Sequence, residues 1–154
     1  MALTVMIENP HSETSLRLIT ELSLDLGATY GTDGTAGFNP HHVSVPRAAF
    51  VVAWLDEEPV GCGALRPTED ENVGEIKRMY VRRASRGQGI SRHILNTLEQ
   101  IAIGHYYTHL ILETGTRQLE AIGLYHAMDY HPIPCYGEYV NSPISICFGK
   151  TLLG

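Results

Sequence analysis

Val81-Arg82-Arg83-Ala84-Ser85-Arg86-Gly87-Gln88-Gly89-Ile90-Ser91-Arg92 is the stretch on which the fold turns: it closes an apolar strand, passes through two glycines and opens a helix. Glycine lets a backbone take conformations and approaches that a Cβ forbids, and the first-turn N–H groups of a helix have no partner within it. The stretch is therefore expected to cradle an anion. The positive end of the helix dipole and the guanidiniums of Arg86 and Arg92 add charge complementarity suited to a pyrophosphate.

The flanks support that reading. Gly74-Glu75-Ile76-Lys77-Arg78-Met79-Tyr80-Val81 has the composition of a strand, and Ile90, Ile94, Leu98 and Ile101 then recur at helical spacing. Two rival phosphate motifs fail. Gly149-Lys150-Thr151 has Ile144 where a P-loop needs its first glycine, and Gly61-Cys62-Gly63 is followed by Arg66 where a dinucleotide fingerprint needs its third.

With 154 residues, 44% of them hydrophobic, the chain reads as a single domain, 1–154, with enough apolar side chains for a substantial core. Its formal charge of −6 argues against nucleic acid as the main partner. No apolar run approaches the ~20 residues that span a bilayer, and no signal peptide is evident, so a cytoplasmic location is expected. Cys62, Cys135 and Cys147 contain no Cys-x-x-Cys and cannot all pair, which suits a reducing compartment; each reads as a small buried apolar residue.

Leu3 to Ile7 reads as a first strand, and Ser12 can cap a helix carrying Leu16, Ile19, Leu22 and Leu26. Gly27 to Pro46 holds too many breakers for a long regular element and is expected to be a mobile loop with room for one short turn of helix. Ala48 to Leu55 and Pro59 to Leu65 form an expected hairpin across Asp56-Glu57-Glu58, followed by the Glu75 strand. Helix 87–104, strand 108–113 and helix 117–128 complete a βαβα run. Pro143 to Lys150 is a last strand after the Pro- and Tyr-rich turn Pro132 to Asn141. The sum is an α/β (α+β mixed) fold, with a mostly antiparallel sheet of about six to seven strands and helices on both faces.

Arg86-Gly87-Gln88-Gly89-Ile90-Ser91 resembles the Arg/Gln-x-x-Gly-x-Gly/Ala signature with which the GNAT superfamily, the general N-acetyltransferases, binds the pyrophosphate of acetyl-CoA. Ser91 departs from the usual Gly or Ala, though serine is small and adds a hydroxyl donor. Ala121-Ile122-Gly123-Leu124-Tyr125 is similar to the family's Ala-x-x-Leu-Tyr helix, with Gln118 at a position often held by Asn. Gly61-Cys62-Gly63-Ala64-Leu65, Gly74-Glu75-Ile76-Lys77 and Leu112-Glu113-Thr114-Gly115 resemble the small bacterial YsnE-type group.

The resemblance implies acetyl-CoA as cosubstrate and a primary amine of a small molecule as acceptor. Arg86, Gly87, Gln88, Gly89, Ile90, Ser91, Arg92 and Gln118 would then bind the cofactor, together with the backbone of Met79, Tyr80 and Val81, where the fourth strand splays from its neighbour. Glu75 would be the base. Tyr125 would be the acid, because a phenol of reference pKa near 10 can protonate a thiolate whose thiol titrates near 8.5. The alternatives are an acetyltransferase of protein N-termini or lysines, and a non-catalytic acyl-CoA sensor.

Eight histidines invite a metal reading that their spacing does not support. His41 and His42 are adjacent and diverge, while His105 and His109 straddle a predicted helix end, so no metal is expected. The resemblance puts the acceptor between Tyr30–His42 and His131–Asn141. Tyr136, Tyr139 and His131 offer hydrogen bonds and flat surface there, and Arg66 and Arg117 could hold a carboxylate on a small amine such as an amino acid. A homodimer stays open.

Overall fold

The computed structural model describes residues 2–31 and 40–152. The order along the chain is β1 (Leu3–Ile7), α1 (Glu13–Tyr30), a 3-10 turn (Pro40–Val43), β2 (Ala49–Leu55), β3 (Glu58–Pro67) and β4 (Val73–Val81). After a 3-10 turn (Arg83–Ser85) come α2 (Ile90–Gly104), β5 (His109–Gly115), α3 (Leu119–Ala127), β6 (His131–Ile133), a third 3-10 turn (Gly137–Tyr139) and β7 (Ser145–Thr151).

The strands form one seven-stranded sheet in the order β1-β2-β3-β4-β5-β7-β6. Only β4 and β5 run parallel, because α2 carries the chain from one to the other; every other neighbour is antiparallel. Alternation along β2 sends Val51 and Ala53 to one face and Phe50 and Val52 to the other. The first face is covered by α2 and α3 through Ile94, Leu98 and Tyr125, the second by α1 through Leu18, Ile19 and Leu22. Glycines in β3 let α2 sit close: a Cβ at Gly63 would come within 2.8 Å of Ile94 and 2.9 Å of Leu98.

Three sequence expectations are corrected. First, α1 runs through Gly27 to Tyr30, and Gly31, at φ 75°, is the residue that ends it. A glycine inside a helix costs only about 1 kcal/mol relative to alanine, and the helix has its Ser12 cap, which accepts from the Ser15 N–H at 3.1 Å. The rest of the expected loop lies partly at 32–39, outside the described residues. Second, the turn expected from Pro132 contains β6, which pairs with β7; Pro132 is tolerated because β6 is an edge strand. Third, Cys135 and Cys147 are joined in a disulfide, and only Cys62 is a buried free thiol. Pairing of Ile133 with Cys147 is what brings the two cysteines together.

Candidate active site

β4 and β5 pair from Val73 opposite His109 to Ile76 opposite Leu112, and there the pairing stops although both strands continue. β4 also bulges. Cys62 faces Tyr80 while Ala64 faces Lys77, so β4 carries one extra residue, accommodated by Arg78 at φ 56°. The strands therefore open into a V whose first unpaired residues are Lys77 and Glu113.

One side of the V leads to the glycine loop. Gly87 and Gly89 have φ 80° and 76°, and a Cβ at either would meet nothing within 4 Å among the described residues beyond its chain neighbours. Their glycines serve backbone conformation and leave the loop's outer side open. Gly89 is the N-terminal cap of α2 with no side chain capping the helix, so the first-turn amides are available to an anion. A cavity of about 550 Å³ lies against this loop, lined by Met79, Tyr80, Val81, Arg86, Gly87, Gly89, Ile90, Ser91, Arg92 and Gln118 among others. Arg86 is partly committed to the protein: Nε donates to the Val81 carbonyl at 2.9 Å and a terminal nitrogen to Asp25 at 3.0 Å. Gln118 likewise props a turn, its Oε1 accepting from the Gly115 N–H at 2.8 Å. Gln88 is exposed on the loop but does not line the cavity.

The other side holds a cavity of about 320 Å³ lined by Tyr30, Glu75, Lys77, Glu113, Tyr125, Glu138, Tyr139, Ser142 and Ser145 among others. Glu75 is buried with both oxygens engaged, Oε1 by Arg66 Nε at 2.7 Å and Oε2 by the Tyr136 hydroxyl at 2.8 Å. The Lys77 ammonium donates to the Tyr139 hydroxyl at 2.6 Å, and Ser145 Oγ donates to Glu113 at 2.6 Å. Burial pushes Lys77 below its usual range, Glu113 above, and the phenols of Tyr136 and Tyr139 far above theirs, the last two reinforced by nearby carboxylates.

Tyr125, only 4% exposed, lines both cavities. Its ring is fixed edge-on to Tyr130 and tilted against Phe148, each at 5.8 Å between centroids. No hydrogen bond among the described residues engages its hydroxyl. Burial, and secondarily the charge of Glu113, push that phenol well above the usual tyrosine range, so it stays protonated.

The remaining expected residues are spread more widely. Arg117 lies on the loop side of the cleft, its guanidinium donating to the Thr29 carbonyl at 3.0 Å, and not at the polar end. Arg66 stands behind Glu75 and also contacts His42 Nδ1 at 3.0 Å. His131 is exposed on β6 and lines neither cavity. Lys77 and Glu113 were not singled out from the sequence as site residues. The available signal was weak: Lys77 is one of three charged residues in β4, beside Glu75 and Arg78, and Glu113 stands alone near the end of β5. Among the described residues no cluster of histidine, cysteine or carboxylate side chains could hold a metal ion.

A glycine loop at a strand-to-helix junction, a splayed pair of parallel strands and a buried tyrosine shared by two cavities give the chain a site with room for an anion at one end and an acceptor at the other. Residues 17–130 match the model of the acetyltransferase (GNAT) family, and the chain belongs to that family. The IAA acetyltransferase of Azospirillum brasilense is 32% identical over 149 residues, 97% of each chain. A Klebsiella pneumoniae protein assigned to the acyl-CoA N-acyltransferases superposes with a TM-score of 0.80 at 29% identity, covering 98% of both chains. A GNAT-family acetyltransferase of Elizabethkingia anophelis with acetyl-CoA bound shares the fold, with a TM-score of 0.70 at 18% identity over 97% of this chain and 98% of that one. The protein is thus an N-acetyltransferase with acetyl-CoA as cosubstrate. The open loop, the uncapped helix and Arg92, which no hydrogen bond or ion pair among the described residues holds, fit its pyrophosphate.

Proposed function

We propose that this protein, as one catalytic domain, moves the acetyl group of acetyl-CoA to a primary amine of a small molecule by direct transfer in a ternary complex. The observation that carries the reading is the position of Tyr125. Its side chain belongs to both cavities, so a donor held at the glycine loop and an acceptor held at the polar end meet beside its unengaged hydroxyl. Acetyl-CoA supplies an acyl group activated as a thioester. Gly87 to Arg92 hold the phosphates, the backbone from Met79 to Val81 lines the way between them and the V, and the Tyr125 phenol gives a proton to the leaving sulfur.

Direct transfer is supported by the absence of a usable thiol among the described residues. Cys135 and Cys147 are bonded to each other, and burial pushes the Cys62 thiol up to about 12. A small acceptor, in place of a protein chain, is supported by the modest volume of the cavity that Tyr30, Tyr139 and Ser142 line. Glu75, which lines the cavity with both oxygens held by Arg66 and Tyr136 from behind, is assigned the task of tying β4 to β3 and to the segment after β6.

The test is thiol release from acetyl-CoA over a panel of amines, followed by initial-rate kinetics in both substrates. Intersecting double-reciprocal lines are expected; parallel lines would overturn direct transfer. A cytoplasmic location is part of the proposal. No helix among the described residues is long and apolar enough to cross a membrane. The Cys135–Cys147 bridge is of a kind rarer in reducing compartments, and its redox state in cells tests that part.

A further inference from the structure

Two charged groups that line this cavity, Lys77 and Glu113, close no ion pair among the described residues. The Lys77 ammonium donates to the Tyr139 hydroxyl and lies 5.3 Å from the centre of that ring, yet it takes part in none of the ion pairs among the described residues. Glu113 accepts one hydrogen bond, from Ser145, and is likewise outside every such ion pair. Both flank the V as the first residues past its last rung, and both line the cavity that also contains Tyr125. Glu75 offers the contrast, since its two oxygens are filled by Arg66 and Tyr136. A half-buried ammonium and a half-buried carboxylate that feel each other's charge without closing into an ion pair keep hydrogen-bonding capacity that a ligand can take up.

We propose that Lys77 and Glu113 are the two halves of an acceptor site for an amine that also bears a carboxylate, Lys77 holding the carboxylate and Glu113 accepting the proton that the amine loses. The proposal rests on the acetyl-transfer reading above. As the amine nitrogen bonds to the acyl carbon and the carbon–sulfur bond breaks, the nitrogen's proton goes to Glu113 and the Tyr125 phenol proton goes to the sulfur. Return of the Glu113 proton to Tyr125 through solvent restores both groups, so amine and thioester yield amide and thiol with no other reactant.

A second amine in place of the carboxylate would meet Lys77 as a like charge. The surroundings of Glu113 suit a base: Lys77 and Glu75 face it from β4, Glu138, Tyr136 and Tyr139 from the segment between β6 and β7, and Tyr125 from α3. Burial outweighs Lys77 and Ser145 among these influences and holds the carboxyl above the usual carboxylate range, which makes its anion a stronger proton acceptor.

The probe is the set of L-amino acids, each compared with its carboxamide and its decarboxylated amine, with CoA thiol release as readout and rates counted per unprotonated amine. At least one amino acid should be acetylated with a kcat/KM about tenfold or more above its carboxamide, as expected for loss of a charge-assisted contact. Lys77→Gln should bring that ratio close to one by raising KM for the amino acid alone. Glu113→Gln should lower kcat/KM and remove the limb that falls as pH drops through the Glu113 carboxyl, leaving only the amine's own titration. Equal rates on acid and carboxamide in the unmodified protein would overturn the proposal, whatever the variants do. So would a ratio that survives Lys77→Gln, or a Glu113→Gln profile shaped like that of the parent. Binding of acetyl-CoA without transfer to any amine would instead overturn the small-molecule acetyltransferase reading itself.

Discussion

The Tyr136 hydroxyl donates to Glu75 Oε2 at 2.8 Å while Arg66 Nε donates to Oε1 at 2.7 Å, so the carboxylate ties β3 to the segment after β6. Replacement by glutamine keeps the shape but leaves Arg66 facing a neutral amide in a buried setting. An unmet hydrogen bond to a charged group costs about 1.5–3 kcal/mol. Glu75→Gln should therefore lower Tm and reduce kcat/KM by the same factor at every pH. A loss confined to neutral pH and recovered at high pH would return the base role to Glu75.

The cofactor loop makes its own prediction. At Gly89 the φ of 76° is strained for any residue with a Cβ, and β-branched residues tolerate it least. Gly89→Val should fold with the loop displaced and bind acetyl-CoA at least about tenfold more weakly by calorimetry, with Gly89→Ala in between. In the parent protein, acetyl-CoA at ~100 times its Kd should add about 2.7 kcal/mol of stability. Gly89→Val with the parent's affinity would place the phosphates elsewhere.

The disulfide closes a short loop, Cys135 to Cys147, that carries Tyr136, Tyr139, Ser142 and Ser145. A cross-link over 12 residues stabilises by about 3 kcal/mol in the chain-entropy picture. Reduction, or Cys135→Ser with Cys147→Ser, should lower Tm and raise KM for the acceptor. Acetyl-CoA affinity should hardly change, because the glycine loop lies across the V. Unchanged acceptor kinetics in the reduced protein would show that hydrogen bonds alone hold this wall.

Local features were legible in the sequence, and features set by register were not. Gly87, Gly89 and the helical spacing of Ile90, Ile94 and Leu98 announce the cradle because a turn and a helix start are short-range events. The hairpin around Asp56 is legible for the same reason. By contrast, the bulge at Arg78 has no glycine to mark it, since a non-glycine residue takes the positive φ. Without the bulge and the end of pairing at Ile76, nothing in the sequence tells that Lys77 and Glu113 flank the V. The partners of Glu75 depend on Arg66 lying opposite it across β3 and β4. Cys135 meets Cys147 only because an edge strand forms in spite of Pro132.

Tyr125 gives the last prediction. Tyr125→Phe removes one hydroxyl that no hydrogen bond among the described residues engages and keeps the ring contacts with Tyr130 and Phe148, so Tm and acetyl-CoA affinity should stay near those of the parent. Turnover should fall by about 10²-fold if the transition state loses its proton donor, and the loss should appear in kcat. The pH behaviour follows from the direction of the shift. Burial raises the folded phenol above its usual range, so any stability from the hydroxyl is present below the ordinary tyrosine pKa of about 10 and is lost only at higher pH. No alkaline fall in kcat from this group is expected below that value. An acyl donor with a more acidic thiol needs less help from a proton and should narrow the gap between Tyr125→Phe and the parent. Under single-turnover conditions, where product release cannot mask the chemical step, equal rates for the two proteins would leave the hydroxyl without a catalytic role.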